Sequence, residues 1–273
     1  MDFSDIKFPP RPELLLSLRA LGNDVNAVGK KIADDEELAK EVLTTINAPY
    51  FNLVRKIKST EEAARMLGID RVINLTTGRL LRGHLFPKDS KLLNDLWALN
   101  LRTAVIGVII GKELDIGSSD EIYTMGLFQN AGMALLQNAN KGYLNLIRAA
   151  YLSEVGKITQ AEEEQLGQSH ARLGAQMAQE WGLPGQIVNC IHKHHSPDEI
   201  ITQLDKNNET SELLLILKLS EYIGRLPGYL AKCQDNFEWN HIQDPILDKL
   251  ELTEGMFKRF EHTIKKKLAE IKG

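Results

Sequence analysis

Cysteine is nearly missing from this chain. The two present in 273 residues, Cys190 and Cys233, stand alone without CxxC or His-rich spacing. That excludes a disulfide framework and a zinc knuckle, and it fits a reducing cytoplasm. Catalytic grammar is missing as well: there is no Gly-rich phosphate loop, no GxSxG elbow and no HExxH pair, which sets aside the common nucleotide-binding, serine-hydrolase and metalloprotease patterns. Alternating apolar and polar residues, the mark of a half-buried strand, are almost absent. The longest apolar stretch, Leu96 to Ile110, is interrupted by Asn100 and Arg102 and is too short and too polar to span a bilayer, so it predicts a buried core helix. Met1 to Pro12 is acidic and proline-bearing and does not read as a signal peptide.

What the chain does contain is helical periodicity. With 43% hydrophobic residues it can bury one large core or two small ones. Its 33 basic and 37 acidic residues, net −4, give no global attraction to nucleic acid or an anionic membrane. The one basic cluster, Lys265-Lys266-Lys267, reads as the solvated face of a C-terminal helix. Stripes at Leu14, Leu15, Leu18 and Leu21, at Val25, Val28 and Ile32, and at Leu38, Val42, Leu43 and Ile46 predict three helices. Ser59 and Glu62 form a capping-box pattern, Gly68 suits a left-handed cap, and Asp70 is placed to cap the next helix. After a break at Phe86-Pro87-Lys88-Asp89, a core helix is expected over about 91–114. Next comes a helix through Ile122 and Leu127 that carries Gln129 and Asn130, then one at Tyr143–Tyr151. A long amphipathic helix from Thr159 to Trp181 closes at Gly182-Leu183-Pro184. The run Glu162-Glu163-Glu164 reads as a solvated first turn of that helix. The stripe Phe257, Phe260, Ile264, Leu268 and Ile271 ends the chain. Trp97 and Trp181 read as core, and Asn47 as a buried polar group with a structural partner.

Several local signatures occur in one order: Phe8-Pro9-Pro10-Arg11-Pro12-Glu13-Leu14, Ile57 through the Leu67-Gly68 ending, Trp97 with Thr103-Ala104, Gly126-Leu127, Gly167 through Gly174, Trp181-Gly182-Leu183-Pro184, and His194-His195. In this the chain resembles the HDOD family, the HD-related output domains of bacterial signalling, over about residues 8–225. The resemblance implies an all-α fold, with an N-terminal helical subdomain at 1–88 and a multi-helix HD-like subdomain at 89–273. It also places the metal-ligand positions of the active HD phosphohydrolases at Leu99, Gln129, Asn130 and Glu221, and the outer histidines at His170, His194 and His195.

Leu99 offers no lone pair, and neutral Gln129 and Asn130 hold a divalent cation only with help from carboxylates. Glu221, judged by its neighbours Tyr222 and Arg225 alone, is a helix-surface carboxylate. The histidines would reach a zinc or iron ion only if three helices converged; otherwise they hydrogen-bond within a polar pocket. The expectation is a vestigial pocket with no catalytic residues, no metal and no cofactor, in a cytoplasmic regulator that acts through signalling protein partners. Two alternatives stand: a sensor of a nucleotide or phosphate-bearing molecule, with the histidines and Arg102 or Arg172 as anion contacts, and a metal-dependent phosphohydrolase with a substituted ligand set.

Overall fold

A computed structural model describes residues 6–87, 89–152, 158–204, 206, 208–225 and 236–272. Cys233 and Lys88 lie outside them. The described residues form helices and turns and contain no strand. The first part comprises α1 (Glu13–Ala20), α2 (Val25–Ala33), α3 (Glu36–Ile46), α4 (Thr60–Leu67) and α5 (Ile69–Leu85). The second part begins with α6 (Lys91–Leu114), α7 (Ser119–Phe128), α8 (Ala131–Ala139), α9 (Tyr143–Tyr151) and α10 (Ile158–Leu166). It continues with α11 (His170–Glu180), α12 (Gly185–Lys193), α13 (Pro197–Leu204), α14 (Glu209–Gly224), α15 (Phe237–Lys249) and α16 (Glu254–Lys272).

Side-chain caps set many of the starts. Asp24, Asp35, Ser59, Ser90 and Asn208 each accept a backbone N–H from the first turn of their helix, at about 1 kcal/mol apiece. The Ser59 box is only half of the expected one, because the Glu62 carboxylate accepts from Lys58 N–H, one residue upstream. Gly68 does have positive φ, but at φ 94° and ψ 155° it is extended rather than left-handed helical, and it starts α5 as well as ending α4. Asp70 therefore sits inside the first turn of α5 instead of capping it. Asn47 has its partners: its amide donates to Leu43 O and Ile57 O, and its carbonyl accepts from Ile57 N–H.

The core is built around α6, which packs on α7, α14 and α16. By length and composition alone it is the one helix among the described residues long and apolar enough to cross a membrane, but 61% of its most apolar window is buried inside the protein, as expected of a core helix. The two parts of the chain are joined tightly. α5 packs on α7, where the buried Asn74 donates to Asp120 and accepts from Thr124 through its backbone carbonyl. Trp181 is fully buried and donates its indole N–H to Pro9 O, so the opening Phe8–Leu14 motif and the Trp181–Pro184 motif meet in space.

Two expected helices are interrupted. The Thr159–Trp181 pattern breaks at Gly167, whose φ of +69° suits glycine, and yields α10 and α11. The helix expected to carry Gln129 and Asn130 stops at Phe128, so the pair forms the joint between α7 and α8. Both breaks turn out to position the site.

Candidate functional site

Glycines set the spacing around the α7–α8 joint. A Cβ on Gly126 would lie 2.5 Å from Ala104 Cα on α6, and one on Gly132 would lie 2.0 Å from His170 O at the start of α11. Any side chain at either position would push two helices apart, so Gly126 seats α7 on α6 and Gly132 seats α8 on α11. Between them Gln129 and Asn130 are fully buried. Asn130 donates to Asn100 Oδ1 at 3.2 Å, and Asn100 donates to Leu127 O at 3.1 Å. Both Gln129 amide atoms and Asn130 Oδ1 are buried with no hydrogen-bond partner. Leu99, also buried, precedes Asn100 on α6.

The three histidines converge. One ring nitrogen from each of His170, His194 and His195 lies within 4.8 Å of the others, and all three side chains are buried. Two segments suffice instead of three helices: His170 is the first residue of α11, and His194 and His195 follow the end of α12. The Gly167 break puts the His170 N–H at a helix start, where it donates to Glu162 at 2.9 Å. That carboxylate also meets His170 Nδ1 at 2.8 Å and accepts from the Tyr143 hydroxyl at 2.5 Å. Glu162 is thus fully buried at the positive end of a helix dipole, not in a solvated first turn.

The other two rings are anchored in the same way. His194 Nδ1 is 2.6 Å from Ile191 O, and His195 Nδ1 is 2.6 Å from Glu238 Oε2 on α15. Each Nδ1 faces an oxygen, of Glu162, of the Ile191 carbonyl and of Glu238 in turn, so a neutral ring donating to it carries its proton on Nδ1 and its lone pair on Nε2. The Nε2 atoms of His170 and His194 are buried without a partner. The Tyr151 hydroxyl is 3.4 Å from His195 Nε2. Burial, then neighbouring positive charge, holds the pKa of His194 and of His195 well below the ordinary value.

Glu221 is buried and not on a helix surface. Its Oε2 is 2.5 Å from the Lys218 ammonium, which lies one turn earlier on α14, is 2.5 Å from Glu238 Oε1, and donates to His194 O at 2.6 Å. Burial, against the pull of Lys218, pushes the Glu221 carboxyl up to about 7. Burial disfavours charge on Lys218, but Glu221 and Glu238 outweigh it and raise its pKa. Glu221 Oε1 has no partner. A narrow cleft lined by Tyr151, His195, Lys218, Glu221, Glu238 and Trp239 lies beside this network. Arg172 is on the exposed face of α11, and Arg102 lies beside Gly224 at the end of α14. Neither lines this cleft.

Sequence reasoning gave no site role to Lys218, Glu238, Tyr143, Tyr151 or Asn100, and it placed Glu162 in a solvated turn. Lys218 carried a signal, as a lone cation in the run Leu213-Leu214-Leu215-Ile216-Leu217-Lys218-Leu219. A second feature was also missed: a surface groove of about 1250 Å³ beside α3, floored by Ala39, Leu43, Leu53 and Ile57, with Lys40, Lys56 and Lys58 among its lining residues.

Helix order, the α7–α8 joint and the buried histidine cluster define an all-helical protein of the HD type. The chain belongs to the HDOD family, whose model matches residues 9–197. An uncharacterized protein of Treponema pallidum (strain Nichols) is 24% identical over 208 residues; the match covers 69% of this chain and 37% of that protein. The chain therefore spans little more than a third of the length of that curated relative. Among solved structures, an HDOD domain protein of unknown function from Geobacter sulfurreducens is 18% identical, with a TM-score of 0.62 over 97% of this chain and 91% of that one. A protein of Marinobacter aquaeolei VT8, whose name proposes a signal transduction role, is also 18% identical, with a TM-score of 0.63 over 99% of this chain and 60% of the other. At these identities the likeness is one of fold.

Proposed function

We propose that this chain is a non-catalytic, cytoplasmic regulator that works through protein partners. The carrying observation is the α7–α8 joint, where Gln129 and Asn130 stand at the metal-ligand positions implied by the HD resemblance, with Leu99 across on α6. Metal-assisted hydrolysis needs a Lewis acid and an activated water in reach of substrate. Two neutral amides and a leucine supply neither a firm dication site nor a general base, and the histidine cluster beyond them is enclosed. The name of the Marinobacter fold relative supports a signalling role. The groove beside α3 supports a partner of defined chemistry: its apolar floor and lysine rim suit a protein segment with an apolar stripe and acidic flanks.

Hydrolysis of phosphodiester and phosphomonoester substrates, assayed with Mg²⁺, Mn²⁺, Fe²⁺ and Zn²⁺ in turn, tests the first half. No turnover above the metal blank is expected, and multiple turnover abolished by His170→Ala would sink the reading. For the second half, a partner that co-purifies with the wild-type chain is expected to be lost from Lys40→Glu/Lys56→Glu/Lys58→Glu; unchanged capture would remove the groove from the account.

A further inference from the structure

Exposed apolar and charged groups gather at one corner of the first part of the chain. Asn52, at φ 51°, turns the backbone out of the short helical turn Pro49–Phe51, a left-handed conformation that asparagine tolerates. Val54 then stands clear of the body and is fully exposed. Met66 on α4 is also exposed and meets Arg55 of the same segment, Sδ to Nη2 at 3.2 Å. Leu53 and Arg55, on either side of Val54, line the groove of about 1250 Å³ beside α3, so an apolar projection adjoins an apolar-floored hollow. Grouped apolar exposure of this kind marks an interaction surface. Charge is divided across the same groove. Arg55 is paired with Glu62, whereas Lys40, Lys56 and Lys58 line the groove with exposed side chains and form no ion pair with a described residue. Where α2 meets α3, Asp34 meets Lys31 at 3.4 Å and Asp35 caps α3. That leaves the exposed Glu36 and Glu37 as acids without an ion pair among the described residues, and Glu36 lines the groove too. A surface with a hollow and a projection, a positive wall and a negative corner, matches a copy of itself turned by half a revolution, which is what an isologous interface requires. A uniformly acidic partner would match the wall and be repelled at the corner.

We propose that this corner is the interface of a twofold homodimer, in which each copy seats its Val54 turn in the groove of the other and sets Glu36 and Glu37 against the other's Lys40, Lys56 and Lys58. Every contact then occurs twice. The charges lie at the rim, where they steer and orient association, and the buried Val54 supplies affinity. This rests on the reading of the groove as a protein-docking surface and names its occupant: the apolar and acidic groups that the groove suits come from a second copy. A chain that stays monomeric while a different protein binds at the groove overturns the dimer and leaves the regulatory reading standing.

The test is the mass of the tag-free full chain in solution, by sedimentation velocity across micromolar concentrations. A dimer is expected, and it should weaken as salt rises from about 0.1 M to about 1 M, where the screening length falls from about 10 Å to about 3 Å. Val54 is fully exposed, so Val54→Asp leaves the core untouched; it is expected to weaken the dimer about 100-fold, about tenfold for each of the two copies. Lys40→Glu/Lys56→Glu/Lys58→Glu and Glu36→Lys/Glu37→Lys are each expected to be monomeric alone. Their equimolar mixture should recover a heterodimer, because opposite charges then face each other across both halves of the interface. Should either charge variant lose its helical circular dichroism, Val54→Asp alone decides. A monomeric wild type, a dimer indifferent to Val54→Asp, or a mixture of folded charge variants that does not associate would overturn the proposal.

Discussion

Lys218→Met probes the buried charge network at its centre. Methionine keeps most of the side-chain volume, so packing changes little, while the ammonium is lost from within 2.5–2.6 Å of Glu221, Glu238 and His194 O. Removing one partner of a buried ion pair costs about 3–5 kcal/mol, because the remaining charge is left uncompensated. Against a total folding stability of about 5–15 kcal/mol, that is a large share. At about 2–4 °C per kcal/mol for a chain of this size, the thermal midpoint should fall by about 6–20 °C. The deficit should also depend on pH. Glu221 already holds its proton up to about pH 7 in the folded protein, against an ordinary value of 4.5. Its contribution to stability is therefore full below the unfolded value and lost as pH rises through about 7. Without Lys218 the Glu221 carboxyl holds its proton to still higher pH, so the gap between variant and wild type should widen as pH rises through about 7 toward 8. Urea titrations of both proteins across that range read the effect. A gap below about 1 kcal/mol, or one that does not change with pH, would refute the buried-network reasoning.

Other outcomes follow from the same geometry. Gly132→Ala puts a Cβ at 2.0 Å from His170 O; backbone against backbone has no flexible end to yield, so a loss of at least about 1–3 kcal/mol is expected in chemical denaturation, and a neutral effect would mean that α8 and α11 are not in contact. Asn47→Ala strips Ile57 of both its N–H and C=O partners and should cost about 1–3 kcal/mol, a range that unchanged stability would contradict. In acid, the metal-free wild type should weaken below about pH 6.5. His194 and His195 have folded pKa values depressed below the unfolded one, so their contribution is full above pH 6.5 and is lost as pH falls, while Glu221 opposes them with one proton. Two protons less one give a slope that grows to about 1.4 kcal/mol per pH unit by about pH 5.5, and urea midpoints that rise on acidification from pH 6.5 to 5.5 would contradict this.

Most elements were legible because one face of each is apolar. The core helix expected over about 91–114 is α6 at Lys91–Leu114, and α1 to α3 follow their leucine, valine and isoleucine stripes. The α10–α11 break was not legible, because the amphipathic pattern continues through Gly167 and a lone glycine is tolerated within a helix. Missing that break hid Glu162: in one continuous helix an acidic triplet faces solvent, whereas in two helices its first member meets the N-terminus of the second. Glu221 was misjudged for a similar reason. Its sequence neighbours Tyr222 and Arg225 are polar or exposed, while the charge that matches it, Lys218, lies one turn earlier in a leucine-rich run. Of the seven residues expected to share a pocket, the three histidines converge, and the α7–α8 joint that carries Gln129 and Asn130 meets them through Gly132 against His170. Leu99, Gln129 and Asn130 are on the α6–α7 side, and the three histidines with Glu221 are on the α11, α12 and α14 side.

On the proposed reading, Leu99, Gln129 and Asn130 stand where an HD-type site would hold its metal ligands, so restoring those ligands should restore an ion. Metal content per chain, measured side by side on wild type and Leu99→His/Gln129→His/Asn130→Asp after loading and desalting, tests it most directly. One additional ion per chain is expected in the triple variant, whatever the histidine cluster holds in wild type. Equal metal content in two equally folded proteins would contradict it.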